Sequence, residues 1–303
     1  MRRILRLATR ASPLALAQAR AVAAQIEAVQ PEVGCELVLV RTTGDRMQAA
    51  APEAPAPGKG LFTKEIEEAL RDGRADAAVH SLKDLPVEDA EGLEIAAVPE
   101  REDPADVLIL QPEFASLIFP EGAEILTGSP RRRVQWRALY PQVVPVAVRG
   151  NIDTRLRKLR QSQAIGLILA AAGLRRLGLD LGDCVLRPLT AGEMVPAPGQ
   201  GALALQCRRD DAETSRLLAP LNHAPTRACV SAERAFLAAM GGGCLAPAGA
   251  LALPIQPGDL RLQVAWAPDE NAPVLRAAVT GPETDPESLG RAAAASIQTG
   301  GDR

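Results

Sequence analysis

Aromatic side chains are scarce in this chain: Phe, Trp and Tyr make up 2% of its 303 residues. Readers of single-stranded nucleic acid stack bases on such rings, so that class of partner is disfavoured. Contact with a duplex backbone needs only cations and survives as the weaker nucleic-acid reading. Histidine is scarcer still, with only His80 and His223, which weakens metal-site and Ser-His-Asp proposals. The five cysteines, Cys35, Cys184, Cys207, Cys229 and Cys244, are odd in number and form no C-x-x-C pair. That argues against a disulfide framework or a zinc site and for a reducing cytoplasm. No apolar run approaches the length that spans a bilayer. Arg6 and Arg10 interrupt the apolar start of the chain, so no export signal is expected. A G-x-x-x-x-G-K-[ST] phosphate loop is also missing, and Gly199-Gln200-Gly201 is too short to replace one.

What remains is a chain with 47% hydrophobic and 23% charged residues, long enough for two or three domains with cores of their own. Its net charge of −3 hides a segregation. Only four of the 34 basic residues are lysine. Between Arg131 and Arg160 lie nine cations and a single acid, Asp153, a local charge of +8. Abundant arginine can follow from codon usage, but clustering implies a polyanionic partner. The planar guanidinium fork suits phosphate and carboxylate alike.

The most pointed stretch is Ala77-Ala78-Val79-His80-Ser81-Leu82-Lys83-Asp84-Leu85-Pro86. Small apolar residues read as a buried strand from 75 to 81, which the polar turn and Pro86 end. In an open parallel α/β sheet, ligands sit beyond the carboxyl ends of the strands, where Ser81, Lys83 and Asp84 would stand. An exposed Lys-Asp pair on a surface turn is the competing reading.

Upstream, Arg3 to Ala8 predicts a strand, and Ser12-Pro13 caps a helix running to about Val29. Arg10 and Ser12 would flank its free N–H groups, as an anion site or an ordinary capping turn. A strand over 36–41 leads into Thr42-Thr43-Gly44-Asp45. Residues 47–60, rich in Ala, Pro and Gly, form a loop ending in Gly58-Lys59-Gly60, either a lid or a plain solvent loop. A short helix (61–71) and a strand (93–98) complete this part.

A charged, proline-bounded connector, residues 99–104, and a Pro/Gly connector, 196–201, bracket a second α/β unit. It has strands near 107–110, 124–129, 143–148 and 165–172, the last reading as a fully covered parallel strand. Ser129-Pro130 starts a helix whose first turn carries Arg131, Arg132 and Arg133, where positive charge opposes the helix dipole. Such a turn either holds an anion or is a solvated basic face. Arg149 ends one strand, and the next helix spreads Arg155, Arg157, Lys158 and Arg160 around its surface; Arg155 is the one assigned to the crevice with Arg149. A helix over 226–240 and a C-terminal α+β segment with antiparallel strands follow. Cys244 comes after three glycines. A helix cap accounts for one of them, leaving an attachment point for a covalently held group as an open reading beside a plain turn.

These motifs together resemble the porphobilinogen deaminase (hydroxymethylbilane synthase) family almost from end to end. They run from Ala8-Thr9-Arg10 with Ser12-Pro13-Leu14-Ala15 through Gly58-Lys59-Gly60-Leu61-Phe62, Ala78 to Pro86, Arg101-Glu102-Asp103-Pro104 and Arg149-Gly150-Asn151. Ala172-Gly173-Leu174, Pro198-Gly199-Gln200-Gly201, Ala232-Glu233-Arg234 and Gly242-Gly243-Cys244 complete the series. The resemblance implies an α/β fold of two periplasmic-binding-protein-like (type II) lobes joined by a hinge, with a smaller C-terminal α+β domain. The expected boundaries are 1–99 with 200–220, 100–199, and 221–303. It implies a dipyrromethane cofactor held by a thioether to Cys244, with four porphobilinogen units joined stepwise, ammonia released, and water freeing hydroxymethylbilane. By position, Asp84 is catalytic and also contacts the cofactor, which Lys83, Ser129, Arg131, Arg132 and Arg155 hold. Arg10, Ser12, Lys59, Arg149, Arg155 and Arg176 would hold substrate. No metal, nucleic acid or membrane is implied, and a cytoplasmic monomer is expected.

Three departures stand out. Leu126-Thr127-Gly128-Ser129 replaces the usual Gly-Thr-Ser-Ser and lacks one hydroxyl. Pro104-Ala105-Asp106 replaces Pro-Arg-Asp, and Tyr-Asp-Ala is absent before Ile165. The reading from another class is a non-catalytic two-lobed protein that binds a polycarboxylate or other anion.

Overall fold

Strands buried on both faces organise the chain. In the strand Ala77–Ser81, Ala77 and Val79 pack into one apolar cluster while Ala78 packs into another. This is the period-two consequence of a sheet covered on both sides. The computed structural model describes residues 2–45, 62–242 and 246–300. The chain divides into two compact units, Met1–Glu102 with Ala202–Arg227 and Asp103–Gly201 with Ala228–Arg303.

The first unit holds β1 (Arg3–Arg10), α1 (Pro13–Val29), β2 (Val33–Val40), α2 (Lys64–Arg71), β3 (Ala77–Ser81) and β4 (Leu93–Ala97). The second begins with β5 (Asp106–Leu110), β6 (Glu124–Leu126), α3 (Pro130–Leu139), β7 (Val144–Val146), α4 (Ile152–Arg160), β8 (Gly166–Ala170), α5 (Ala171–Leu177) and β9 (Val185–Pro188). Back in the first unit come β10 (Leu203–Arg208) and α6 (Ala212–Leu218), followed by α7 (Ala224–Ala239). The remainder is β11 (Ala248–Gln256), β12 (Asp259–Trp266), β13 (Leu275–Pro282) and α8 (Pro286–Gln298).

Two five-stranded sheets result, ordered β2-β1-β3-β10-β4 and β7-β6-β8-β5-β9. The orders are equivalent. β1 lies between β2 and β3 in one sheet and β6 between β7 and β8 in the other, each parallel to both of its neighbours. The strand delivered by a connector then runs antiparallel to its neighbours: β10 beside β3 and β4, β5 beside β8 and β9. These are the two α/β lobes implied by the resemblance, and β11-β12-β13 is the antiparallel sheet of the smaller part.

Two expectations are corrected. The sheets are mixed, because β5 and β10 each return against the parallel set. The apolar run 165–172 is also shorter as a strand than its pattern implied. It ends at Ala170, and Ala171 and Ala172, both buried, already belong to α5. A fully buried helix turn and a fully buried strand share the same unbroken hydrophobic pattern.

Helix starts follow their caps. The hydroxyls of Ser12 and Ser129 accept hydrogen bonds from the backbone N–H groups of Ala15 (3.3 Å) and Arg132 (3.4 Å), each ahead of a proline at the first helical position. His223 does the same for α7 through the Thr226 N–H, at 3.4 Å. Buried Glu233 on α7 accepts from the N–H groups of Gly199 (2.7 Å) and Ala252 (2.9 Å), tying the return connector to β11.

Gly128 is a close-approach position. A Cβ built there would lie 2.6 Å from the Val148 carbonyl oxygen, so the missing hydroxyl noted above coincides with missing space. Gly128→Ser is expected to cost about 1–3 kcal/mol through overpacking, read as a lower melting temperature. An unchanged melt would show that the Val148 backbone yields freely.

His80 bonds Gln206 across the β3–β10 pair, at 3.1 Å, and burial lowers its pKa to about 4 despite that bond. The unfolded chain protonates this imidazole near pH 6.5. Between those values the unfolded state binds more protons, so stability falls as pH drops from 6.5 towards 4, by up to about 1.4 kcal/mol per pH unit. Denaturant titrations across that window should show a shallower pH slope for His80→Gln than for the parent. Equal slopes would place the proton uptake elsewhere.

Candidate active site

In the first unit, three chain segments converge at the carboxyl ends of β1 and β3. The turn after β3 is a single 3-10 turn, Leu82–Asp84, pinned at both ends. Leu82 and Leu85 are buried, and the Leu82 N–H donates to the Ala202 carbonyl at 3.0 Å. Two apolar anchors therefore hold Lys83 and Asp84 half-buried between them. Ser81, just before the turn, is hydrogen-bonded to Gln18 of α1 at 2.9 Å.

Arg10, Ser12 and Asp84 line one pocket enclosing roughly 440 Å³, part of it open to solvent, together with Gln18, Phe62 and His80. The Ser12 oxygen is used in capping α1, which leaves its hydroxyl hydrogen to donate. The Arg10 guanidinium pairs with Asp45, Nη2 to Oδ1 at 2.5 Å and Nε to Oδ1 at 3.2 Å, and its Cζ lies 4.1 Å from the centroid of the Phe62 ring. Burial works to raise the Asp45 pKa, but the Arg10 hydrogen bond and charge, with bonds from Thr42, hold it below the usual carboxylate value. Lys59 lies outside the described residues.

In the second unit, the basic first turn of α3 is not a solvated face. Arg131 and Arg132 are both buried and share one wholly buried carboxylate, Asp106. Arg131 Nη1 stands 2.6 Å from Oδ2 and Arg132 Nη2 2.7 Å from Oδ1. The two arginines also donate to the carbonyls of Val195 (2.8 Å) and Ile168 (2.9 Å), and Gln200 donates to Asp106 at 3.0 Å. Burial alone would raise the Asp106 pKa; the two guanidiniums and Gln200 instead hold it far below the ordinary range. Arg133 pairs with Glu270. The anion that one reading of the sequence placed at this turn is thus partly internal.

It is only partly so. Among the described residues Asp106 is the one carboxylate paired with Arg131 or Arg132, leaving this buried cluster with one positive charge in excess. Arg131 Nε is buried with no hydrogen-bond partner among those residues. A buried orphan donor beside surplus positive charge is costly unless an acidic group completes it. The carboxylates of a dipyrromethane have that chemistry, so the cluster fits such a cofactor.

The remaining arginines differ in their surroundings. Arg155 donates from Nε to the Gly150 carbonyl at 2.7 Å, and its Nη1 lies 3.9 Å from where a Gly128 Cβ would stand. Arg149 is half-buried, and its carbonyl accepts from Lys158 at 3.2 Å. Arg176 on α5 donates to the Gly201 carbonyl at 2.7 Å, and its neighbour Arg175 pairs with Asp103 at 3.0 Å. Arg176 is therefore anchored to the return connector. Cys244 lies outside the described residues.

Asp45, Phe62, Gln18 and Asp106 were not anticipated from the sequence. A signal existed for Asp106: an acid opening the otherwise apolar run Asp106-Val107-Leu108-Ile109-Leu110 needs a buried cationic partner. For Asp45 the clue was the polar Thr-Thr-Gly-Asp segment at the end of a strand.

Comparison with known proteins bears on all of this. Residues 5–216 match the family model for the porphobilinogen deaminase dipyromethane cofactor binding domain, and residues 227–299 that for the porphobilinogen deaminase C-terminal domain. The porphobilinogen deaminase of Chromobacterium violaceum is 43% identical over 297 residues, covering 98% of this chain and 95% of that protein. That of Syntrophus aciditrophicus is 49% identical over 250 residues, covering 82% and 80%. For Thermus thermophilus the figures are 44% over 288 residues, 95% and 93%. The chain belongs to the porphobilinogen deaminase family.

Proposed function

We propose that this protein is a transferase that joins four porphobilinogen molecules head to tail with release of ammonia, then hydrolyses the product to hydroxymethylbilane. The observation that carries this reading is the single pocket that Asp84, Arg10 and Ser12 line together. Loss of ammonia from an aminomethylpyrrole leaves a cationic azafulvene. A fixed carboxylate stabilises that charge and accepts from pyrrole N–H groups. Arg10 and Ser12 are matched to the acetate and propionate that each substrate carries.

A dipyrromethane joined through a thioether to Cys244 would supply the pyrrole carbon on which the chain is built. On the protein side, Lys83, Asp84, Ser129, Arg131, Arg132 and Arg155 are assigned to hold it. The excess charge and orphan Nε of the Arg131–Arg132–Asp106 cluster support that role. Each added unit brings two more carboxylates, and the +8 segment from Arg131 to Arg160 supplies the counter-charge. Arg149, Arg155, Arg176 and Lys59 are assigned to the growing chain with Arg10 and Ser12. The functional division follows residues 1–99 with 200–220, 100–199 and 221–303. No helix among the described residues is long and apolar enough to cross a membrane, and we assign a monomer acting in the cytoplasm without nucleic acid.

Intact mass under denaturing conditions should exceed the polypeptide mass by two pyrrole units, and Cys244→Ser should abolish the increment. Active protein with an unmodified Cys244 would defeat the assignment. Asp84→Asn should fold and keep that mass yet lose about 10²–10³-fold in kcat, the scale for removing one preorganised electrostatic group. Turnover close to the parent's would remove Asp84 from the chemistry.

A further inference from the structure

The segment Thr42-Thr43-Gly44-Asp45 and the residue Phe62 converge on Arg10. The Asp45 Oδ2 atom accepts from both the backbone N–H (3.2 Å) and the hydroxyl (2.8 Å) of Thr42, which is wholly buried. That fixes the carboxylate. Its Oδ1 then takes Nε and Nη2 of Arg10 side-on. The Phe62 ring covers one face of the guanidinium, and the ring fits because residue 44 has no side chain: a Cβ there would fall 2.2 Å from it. Thr43 and Glu65 complete the brace, with the Thr43 N–H donating to Oε1 at 2.7 Å.

One edge and one face of a planar cation are thereby occupied. Nη1 is left without a partner among the described residues, on an arginine that lines the same pocket as Ser12 and Asp84. An unrestrained arginine has several rotatable bonds to fix before it can present a two-pronged donor edge. Here that ordering is done before any ligand arrives.

We propose that Asp45 and Phe62 are positioning residues for substrate recognition, presetting the Arg10 guanidinium so that its Nη1 edge meets a carboxylate of the incoming pyrrole. This rests on the assignment of Arg10 to substrate. Asp45 acts through Arg10 and touches no substrate, so its removal weakens ground-state binding and leaves the chemical step alone.

The test is a double-mutant cycle on cofactor-loaded protein, its loading checked by intact mass, with porphobilinogen as substrate. Asp45→Ala should raise KM roughly tenfold with kcat within about twofold, as expected when a binding group is misplaced rather than removed. In an Arg10→Ala background the same substitution should change KM no further. Phe62→Leu, which keeps the ion pair and removes the ring, should raise KM a few-fold, and it carries the test if Asp45→Ala does not fold.

A KM that is unchanged or lower in Asp45→Ala, showing that the carboxylate merely competes with substrate, would overturn the proposal. So would a full Asp45 effect persisting without Arg10. The substrate assignment of Arg10 and the positioning role of Asp45 fail differently. An Arg10→Ala protein with parental KM sinks the substrate assignment, whereas a raised KM there with no effect of Asp45→Ala or Phe62→Leu sinks only the positioning role.

Discussion

A carboxylate that belongs to the protein stands against each of Arg10, Arg131 and Arg132, and the candidate site depends on how completely it neutralises them. In the second unit the balance is deliberately short. Among the described residues two buried guanidiniums share Asp106 alone, so the cluster keeps one positive charge and one orphan donor. Breaking such a network from the protein side is expensive, on the order of 3–5 kcal/mol for a buried charge left unpaired. The arrangement therefore holds its shape while retaining an appetite for an acid. In the first unit Asp45 is matched to Arg10 one for one, and the guanidinium is committed on one edge while the other has no partner among the described residues.

The same logic explains why the two connectors are polar and tightly held. Gln200 of the return connector donates to Asp106 and to the Pro104 carbonyl (2.7 Å) of the outgoing one. Arg175 and Arg176 reach Asp103 and the Gly201 carbonyl, and Glu233 holds the Gly199 N–H. Within the second unit both connectors are thus bonded to its side chains, and Gln200 joins them to the arginine cluster through Asp106. Backbone groups that a Pro/Gly-rich segment cannot satisfy by itself are satisfied by side chains of the second unit.

Much of this was legible before any coordinates. The Leu-Lys-Asp-Leu turn reads correctly because an alternation of apolar anchors and polar residues at a strand end leaves few placements for Lys83 and Asp84. The Ser-Pro caps before α1 and α3 read correctly because a hydroxyl ahead of proline has one local structural use. The direction of β5 and β10 was not legible. A strand covered on both faces has the same composition whether its neighbour runs with it or against it. Nor was the boundary inside 165–172, where strand and helix are equally apolar. The basic first turn of α3 was open to an anion or a solvated face; it has an anion, and its supplier lies 25 residues upstream in a different element.

What the sequence alone determined was the kind of partner and the family: segregated positive charge for a polyanion, a polar turn at a strand end that carries Asp84, and a family resemblance carried by ordered motifs along nearly the whole chain. Periodicity and caps are local properties, and they are written in neighbouring residues. Only the tertiary structure decided which arginines are spoken for and on which edge. Arg10, Arg131 and Arg132 look alike in sequence. They differ because Asp45, Phe62 and Asp106 are brought to them by strand order and loop packing, and the energy of a guanidinium depends on what surrounds it within a few ångströms.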